Sequence, residues 1–169
     1  MERIAIIDID GVLVDYPNVF LEWVEKNKGI LFTDLNEMKN AMSVEKYESI
    51  KKEYRDSGIK RVLPIKGNAK EILELLKQQK WKIWVVTSRP DMCPVNVDTK
   101  FWLDNNLPYD KLIFMKNKKK LFDKENGIKL IIDDNKDFLR WVSSYHKQIF
   151  VSDGNWQKLH TWILEGKNE

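Results

Sequence analysis

The chain has 169 residues, which at about 150 residues per domain predicts one globular domain with a modest insertion and excludes a large multidomain protein. Hydrophobic residues make up 43% of the sequence and charged residues 33%, so the chain can build a core and is not a disordered polyampholyte. The net charge of +3, from 29 basic and 26 acidic residues, is too small to argue for nucleic-acid binding.

Five short runs of β-branched and apolar residues predict strands that are buried on both faces, as a parallel sheet requires. In chain order they lie at residues 4–9, 83–86, 112–115, 130–132 and 149–151. Apolar residues at helical spacing separate them, for example around Ile72, Val142 and Leu159. This alternation predicts an α/β fold with a Rossmann-like parallel sheet and helices on both faces.

One stretch interrupts the alternation. Residues 15–61 have apolar residues at helical spacing and no convincing strand. A segment of roughly 45 residues is too long for an ordinary loop. We predict a small helical cap over residues 15–61, inserted into an α/β core of residues 1–14 and 62–169.

Cysteine content and hydropathy bear on the compartment. The single cysteine, Cys93, excludes an intramolecular disulfide and a cysteine-rich zinc site, and it is typical of a reducing environment. No apolar run approaches the roughly 18 residues needed to cross a bilayer, and the sequence enters a strand-like pattern almost at once. We therefore expect a cytoplasmic protein that is not bound to a membrane.

The first predicted strand leads into the sequence Asp8-Ile9-Asp10-Gly11. Alternation along a strand places Asp8 and Asp10 on the same side of the chain as it leaves the sheet. Two facing carboxylates repel each other unless a cation lies between them or one is protonated, so the pair predicts a site. A polar turn is the alternative for the motif in isolation, whereas an EF-hand loop is excluded because apolar residues follow Gly11.

Polar residues also follow two other predicted strands. Thr87-Ser88-Arg89 follow the second, where hydroxyl and backbone N–H groups suit a phosphate oxygen. Asp133 and Asp134 follow the fourth. Each stretch alone is also typical of helix capping. Three such ends at one edge of a parallel sheet nevertheless predict a ligand site, because ligands bind at that edge.

The order of these motifs resembles the haloacid dehalogenase superfamily of phosphotransferases, and the resemblance spans the whole chain. The motifs that carry it are Asp8-Ile9-Asp10-Gly11-Val12, Thr87, a following lysine and Asp133-Asp134. Within the superfamily the chain is similar to the 5′(3′)-deoxyribonucleotidases. That similarity rests on the helical insert, Pro64, Cys93-Pro94 and Leu159-His160-Thr161-Trp162.

The resemblance implies roles for the strand-end residues. Asp8 would be the nucleophile that forms an aspartyl-phosphate, and Asp10 would be the general acid and base. Mg²⁺ would lie between Asp8, the Asp10 backbone carbonyl and Asp133, with Asp134 orienting the metal's waters or the lysine. Thr87 would hold a phosphoryl oxygen, and Ser88 is a further substrate-binding candidate.

The resemblance also implies a lysine that neutralises the nucleophile and the phosphate. Four lysines lie between residues 116 and 120, and Lys118, Lys119 and Lys120 are all candidates. The similarity of Lys119-Lys120-Leu121-Phe122 to the family's Lys-x-apolar-apolar pattern favours Lys119. A solvated turn is the alternative interpretation of this lysine run.

Three further residues are candidates for substrate binding. Arg89 departs from the nucleotidase pattern, and its guanidinium is suited to a second phosphate, a substrate carboxylate or an acidic residue of the cap. Phe20 and Trp23 in the predicted cap are candidates for stacking on a base, with core packing as the alternative.

We expect a magnesium-dependent phosphomonoesterase whose partner is a small phosphate ester, most specifically a 5′(3′)-nucleotidase acting on nucleoside monophosphates. A polynucleotide 3′-phosphatase of nucleic-acid repair is the alternative enzyme, because the lysine run at residues 116–120 suits a nucleic-acid backbone. A catalytically silent phosphate-binding module is the non-enzyme alternative. A response-regulator receiver domain is disfavoured, because its phosphorylated Asp lies on an internal strand. The sequence leaves the oligomeric state open.

Overall fold

The computed structural model describes residues 2–123 and 125–165. Within these residues, five parallel strands form one sheet. They are β1 (Ile4–Ile7), β2 (Lys82–Thr87), β3 (Lys111–Phe114), β4 (Ile128–Ile132) and β5 (Phe150–Ser152). The order β3-β2-β1-β4-β5 places β1 at the centre, with the chain winding outward from it in both directions.

Seven α-helices connect the strands in the described ranges. They are α1 (Asn18–Lys28), α2 (Leu35–Asn40), α3 (Val44–Asp56), α4 (Ala69–Gln78), α5 (Val95–Asn106), α6 (Lys136–Tyr145) and α7 (Trp156–Leu164). Short 3₁₀ helices lie at Ile59–Arg61 and Lys118–Asp123. No helix in the described ranges combines the length and the apolar character needed to cross a membrane.

The two faces of the sheet bury different apolar clusters. Ala5 and Ile7 of β1 belong to the cluster that α4, α5 and α7 cover, whereas Ile4 and Ile6 belong to the one that α6 covers. This division follows from the alternation of side chains along a strand. The predicted α/β class, with helices on both faces of a parallel sheet, is confirmed.

Each predicted strand overlaps an observed one, and the difference that affects the site is at the end of the first. β1 ends at Ile7, although the apolar run continues to Ile9. The Ile9 carbonyl instead accepts hydrogen bonds from the backbone N–H groups of Val12, Leu13 and Val14, at 3.2, 2.8 and 3.0 Å. The chain therefore leaves the sheet in a tight buried loop directly after Asp8.

The segment between β1 and α4 builds a third apolar cluster of its own. Its buried residues are Phe20, Leu21, Val24, Met38, Tyr47, Ile50 and Tyr54, all from α1, α2 and α3. Side chains before two of these helices cap them, because Asp34 accepts from the N–H groups of Asn36 and Glu37, and Ser43 accepts from that of Lys46. This separate cluster supports the proposal that residues 15–61 form a cap.

Packing of α7 against the core predicts a strong contrast between two of its leucines. Leu159 is fully buried, whereas Leu164 is 63% exposed at the end of the same helix. Leu159→Ala should lower the free energy of unfolding by about 2–5 kcal/mol, because it leaves a cavity. Leu164→Ala should change it by no more than about 0.5 kcal/mol. Urea denaturation measures both, and equal losses would contradict this packing.

Candidate functional site

The carboxyl ends of three neighbouring strands meet at one place. Asp8 follows the central strand β1, Thr87 ends β2 and Asp133 follows β4, and all three side chains are buried. The backbone N–H of Asp8 donates to the Ile132 carbonyl at 2.9 Å, so the pairing with β4 continues to the first acidic residue. Sheet register thus brings together residues that lie about 80 and about 125 positions apart in the sequence.

Gly11 lets the loop after β1 pass close to the second acidic pair. It has φ +86°, a left-handed conformation that favours glycine. A Cβ at this position would lie 2.1 Å from Asp134 Oδ2. Lys66 Nζ and Trp156 Nε1 donate to the carbonyls of Gly11 and Val12, at 3.0 and 3.2 Å, and hold the loop in place.

Three carboxylates form an acidic cluster at this edge. One oxygen each of Asp8, Asp133 and Asp134 lies within 4.8 Å of the others, and Asp134 is the exposed member. The buried Oδ1 of Asp8 has the Lys118 ammonium as its charged partner, at 2.8 Å. Carboxylate oxygens are the ligands that a hard divalent cation prefers, so this cluster fits Mg²⁺.

Lys118, and not Lys119, lies at the carboxylates. Its ammonium is 2.8 Å from Asp8 Oδ1 and donates a hydrogen bond to Asp133 Oδ2 at 2.6 Å, with the side chain buried. Lys119, which the sequence pattern favours, is instead exposed, and its ammonium lies 4.9 Å from the centre of the Trp141 ring. Of the three candidate lysines, Lys118 is therefore the one that lies at the carboxylates. Residues three apart share a face of a 3₁₀ helix, so burial of Leu121 in the core turns Lys118 inward.

The pKa values in the cluster reflect its burial. Burial raises the pKa of Asp8 to about 7, although the Lys118 ammonium opposes the shift. Burial also raises the pKa of Asp134, and the Asp133 charge adds to the shift. Burial acts to lower the pKa of Lys118, but Asp8 and Asp133 outweigh it and raise that pKa. Lys118 is therefore a fixed positive charge.

Asp10 faces a different partner. Arg89 donates to both of its carboxylate oxygens, from Nε at 2.9 Å and from Nη2 at 2.6 Å, and to Thr99 Oγ1 at 3.1 Å. The acidic partner of Arg89 is therefore Asp10 of the core, whereas the sequence analysis considered an acidic residue of the cap. Burial acts to raise the pKa of Asp10, but Arg89 outweighs it and lowers that pKa. Asp10 is therefore ionised at neutral pH.

Two cavities meet at Ser88, an exposed residue at the end of β2. The first, which we call the acidic-side cavity, measures about 270 Å³ and is lined by the acidic cluster, Lys118 and residues 116, 117 and 119. The Thr87 hydroxyl beside it accepts from the Arg89 N–H at 3.2 Å, which leaves its proton free to donate.

The second cavity, which we call the cap-side pocket, measures about 150 Å³. On its core side lie Ser88 and the Asp10–Arg89 pair. On its cap side lie Tyr16, Lys51, Tyr54, Arg55 and Lys60. The sequence analysis did not identify any of these cap residues as a site residue. The four-residue spacing of Lys51 and Arg55, which puts both on one helix face, was the available signal.

The two aromatic candidates for base stacking lie elsewhere. Phe20 is fully buried in the cap cluster, tilted against Tyr54 with ring centroids 4.9 Å apart. Trp23 packs edge-on against Tyr54 and lines a separate cavity beside Val62 and Pro64. Neither lines the acidic-side cavity or the cap-side pocket. The helical spacing of these rings thus reflects the packing of the cap, which was the alternative interpretation, and stacking on a base stays a prediction.

Comparison with known proteins identifies the fold. No family model and no curated protein matches the sequence. A candidate beta-phosphoglucomutase from Thermotoga maritima aligns over 85% of this chain and 81% of its own, with 20% identity and a TM-score of 0.53. A hydrolase from Streptococcus pneumoniae TIGR4 aligns over 90% of this chain and 92% of its own, with 12% identity and a TM-score of 0.56.

A chain of the Pnkp1/Rnl/Hen1 complex also aligns, over 90% of this chain but only 45% of its own, with 15% identity and a TM-score of 0.54. This protein thus spans about half of that larger chain. Together the likenesses show that the chain shares the fold of these proteins. At these identities they show the fold alone, and the finer similarity to deoxyribonucleotidases stays a prediction.

The buried Asp8 carboxyl predicts an unusual pH dependence of stability in the metal-free protein. The folded protein keeps the Asp8 proton up to a pKa of about 7, whereas the ordinary value is 3.8. Because the folded state binds more protons in this range, the contribution of Asp8 to stability falls as the pH rises through it. In EDTA, the Tm of Asp8→Asn should exceed that of the unsubstituted protein more at about pH 8 than at about pH 5.

Asp10→Asn is the matched control for this experiment. The pKa of Asp10 is lowered, so its carboxylate stabilises the folded protein above the ordinary pKa of an aspartate. Asp10→Asn should therefore lower the Tm at about pH 8. Differential scanning fluorimetry measures both variants, and an Asp8→Asn difference that does not grow with pH would contradict the burial of this charge.

Proposed function

We propose that the protein is a magnesium-dependent phosphomonoesterase that acts through an aspartyl-phosphate on Asp8. The bridge that Lys118 makes between Asp8 and Asp133, at the floor of the acidic-side cavity, carries this proposal. It places one buried cation against two carboxylates, with Asp134 on the rim. Such a set of charges suits a phosphoryl group together with a divalent ion.

Asp8, Asp133 and Asp134 would hold the Mg²⁺, because these residues form the acidic cluster. The Asp10 backbone carbonyl is a further ligand that the sequence resemblance implies. When bound, the ion would offset the negative charge that a phosphate dianion adds to three carboxylates.

The protein's own groups suggest how the phosphoryl group is transferred. An Asp8 oxygen would attack phosphorus, so that a bond from Asp8 to phosphorus forms as the ester bond to the leaving oxygen breaks. Lys118 would neutralise charge on both the nucleophile and the phosphoryl oxygens. The Thr87 and Ser88 hydroxyls at the end of β2 would donate hydrogen bonds to those oxygens.

Asp10 would act as the general acid and base. Its pair with Arg89 favours the carboxylate, so Asp10 is ready to accept a proton from the water that hydrolyses the aspartyl-phosphate. In the next turnover, Asp10 would donate this proton to the oxygen of the leaving group. The same pair makes Asp10 a better base than acid, so esters with acidic leaving groups suit the first step best.

Metal removal is the experiment that tests this proposal. Phosphate release from p-nitrophenyl phosphate should be lost in excess EDTA and return when Mg²⁺ is restored, because three carboxylates and a phosphate dianion repel one another without a cation. A colorimetric phosphate assay measures it. Full turnover in EDTA would exclude the mechanism.

Neighbouring lysines provide a second test. Lys118→Met should reduce kcat/KM by about 10²-fold or more, because it removes the cation that faces the nucleophile. Lys119→Met removes the same charge from the same cavity lining but not from the carboxylates, and it should change kcat/KM less than about threefold. Circular dichroism checks that both variants fold. A larger loss with Lys119→Met would contradict the placement of Lys118.

Two substrate classes remain from the sequence. The proposal of nucleoside monophosphates is no longer supported by base stacking on Phe20 and Trp23, because neither ring lines the two cavities. Tyr16 and Tyr54 are the aromatic residues that line the cap-side pocket. A polynucleotide 3′-phosphatase is supported by Lys116 and Lys119, which line the acidic-side cavity. We favour a small ester, because both cavities are small and the cap lies directly beside Asp10. A cytoplasmic location is part of the same proposal.

A further inference from the structure

We propose that the cap-side pocket is a subsite for a second anionic group of the substrate, a carboxylate or a second phosphate. The inference rests on the proposed phosphomonoesterase function and deepens it. It makes the preferred substrate a small phosphate ester that carries a negative charge at its other end.

The cap contributes three cations to this pocket and no acidic residue. Within residues 2–123 and 125–165, Lys51, Arg55 and Lys60 take part in no ion pair. Asp10 is the acidic residue of the lining, and both of its oxygens already accept from Arg89. The pocket therefore has unneutralised positive charge on its cap side, which attracts an anion.

Two buried residues of the lining carry donors that an anion could use. Lys60 is 5% exposed and takes part in no ion pair with the described residues, and its ammonium lies over the Tyr54 ring, 4.9 Å from the ring centre. Tyr54 is 3% exposed, and its hydroxyl has no hydrogen-bond partner among the described residues. Burying such groups unpaired lowers stability, and oxygens of a bound anion would remove that cost.

The position of the pocket fits a group attached to the scissile phosphate. Ser88 lines both the acidic-side cavity and the cap-side pocket, so one molecule can reach from Asp8 past Ser88 to the cap. The volume of about 150 Å³ is well below the roughly 300 Å³ of pockets that enclose drug-sized ligands. A carboxylate or a phosphate on a short linker is of the right size.

A matched set of esters tests the charge preference. 2-Phosphoglycolate, ethyl phosphate and phosphoethanolamine share a short alkyl phosphate and differ in an anionic, a neutral and a cationic end. With Mg²⁺, kcat/KM should fall in that order, with at least about tenfold between the first two, because an anion gains charge-assisted hydrogen bonds. The kcat/KM ratio of fructose 1,6-bisphosphate to fructose 6-phosphate tests a second phosphate in the same way. If this ratio exceeds that of 2-phosphoglycolate to ethyl phosphate, the pocket prefers a phosphate, and otherwise it prefers a carboxylate.

Variants of the pocket test which residues are responsible. Lys60→Met and Arg55→Met should each reduce the 2-phosphoglycolate to ethyl phosphate ratio by about tenfold. Lys46→Met is the control, because Lys46 is an exposed cation on the same helix as Arg55 and is not part of the lining. Lys60→Met should also keep or raise the Tm, since it removes a buried ammonium that has no acidic partner, whereas loss of a merely structural lysine would lower the Tm.

Binding to an inactive protein separates this inference from the proposed function. Calorimetric titration of 2-phosphoglycolate into Asp8→Asn, with and without Lys60→Met, requires no turnover. Weaker binding in the double variant supports the subsite even if no ester is hydrolysed. Equal binding in both proteins, or a ratio near one for both ester pairs in an active enzyme, would overturn the subsite and leave the phosphatase proposal standing.

Discussion

The ammonium of Lys118, shared between the buried carboxylates of Asp8 and Asp133, is the interaction on which the site depends. Removing two like charges from water is unfavourable, and an opposite charge between them is what keeps them in place. The sheet register sets their positions, because β1 and β4 are neighbours. The 3₁₀ helix after β3 then directs Lys118 toward them. Sheet topology, burial and charge thus all determine the position of one atom, the Nζ of Lys118.

Asp10 divides the cleft into two regions of opposite character. On one side lies the acidic cluster, and on the other the cap supplies cations that form no ion pair with the described residues. Arg89 satisfies Asp10 and so keeps that carboxylate from joining the acidic cluster through its side chain. In the proposed function, the core would supply the residues that break the ester, and the cap would supply the charge that selects the other end of the substrate.

The meeting of the strand-end residues could be predicted from the sequence, because polar residues follow the apolar runs of β2 and β4 and parallel strands bring such residues to one edge. The end of β1 could not, since the apolar run continues past Asp8 to Ile9. The choice between Lys118 and Lys119 could not, since it depends on whether Leu121 or the neighbouring Phe122 is the more deeply buried apolar residue. The placement of Phe20 could not be predicted for a related reason, because a ring at helical spacing gives the same sequence pattern whether it faces a cleft or the cap's own core. Lys60 gave no signal at all, because the burial of a lysine arises only when the cap folds against the core.

The central claim is that the phosphoryl group passes through Asp8, and trapping the intermediate tests it most directly. The protein would be mixed with Mg²⁺ and phenyl phosphate radiolabelled in the phosphoryl group, quenched in acid within the first turnover, and mapped by proteolysis. We expect label on the peptide that contains Asp8, released by hydroxylamine and absent from Asp8→Asn. Release of phosphate by a protein that never carries label would contradict the account.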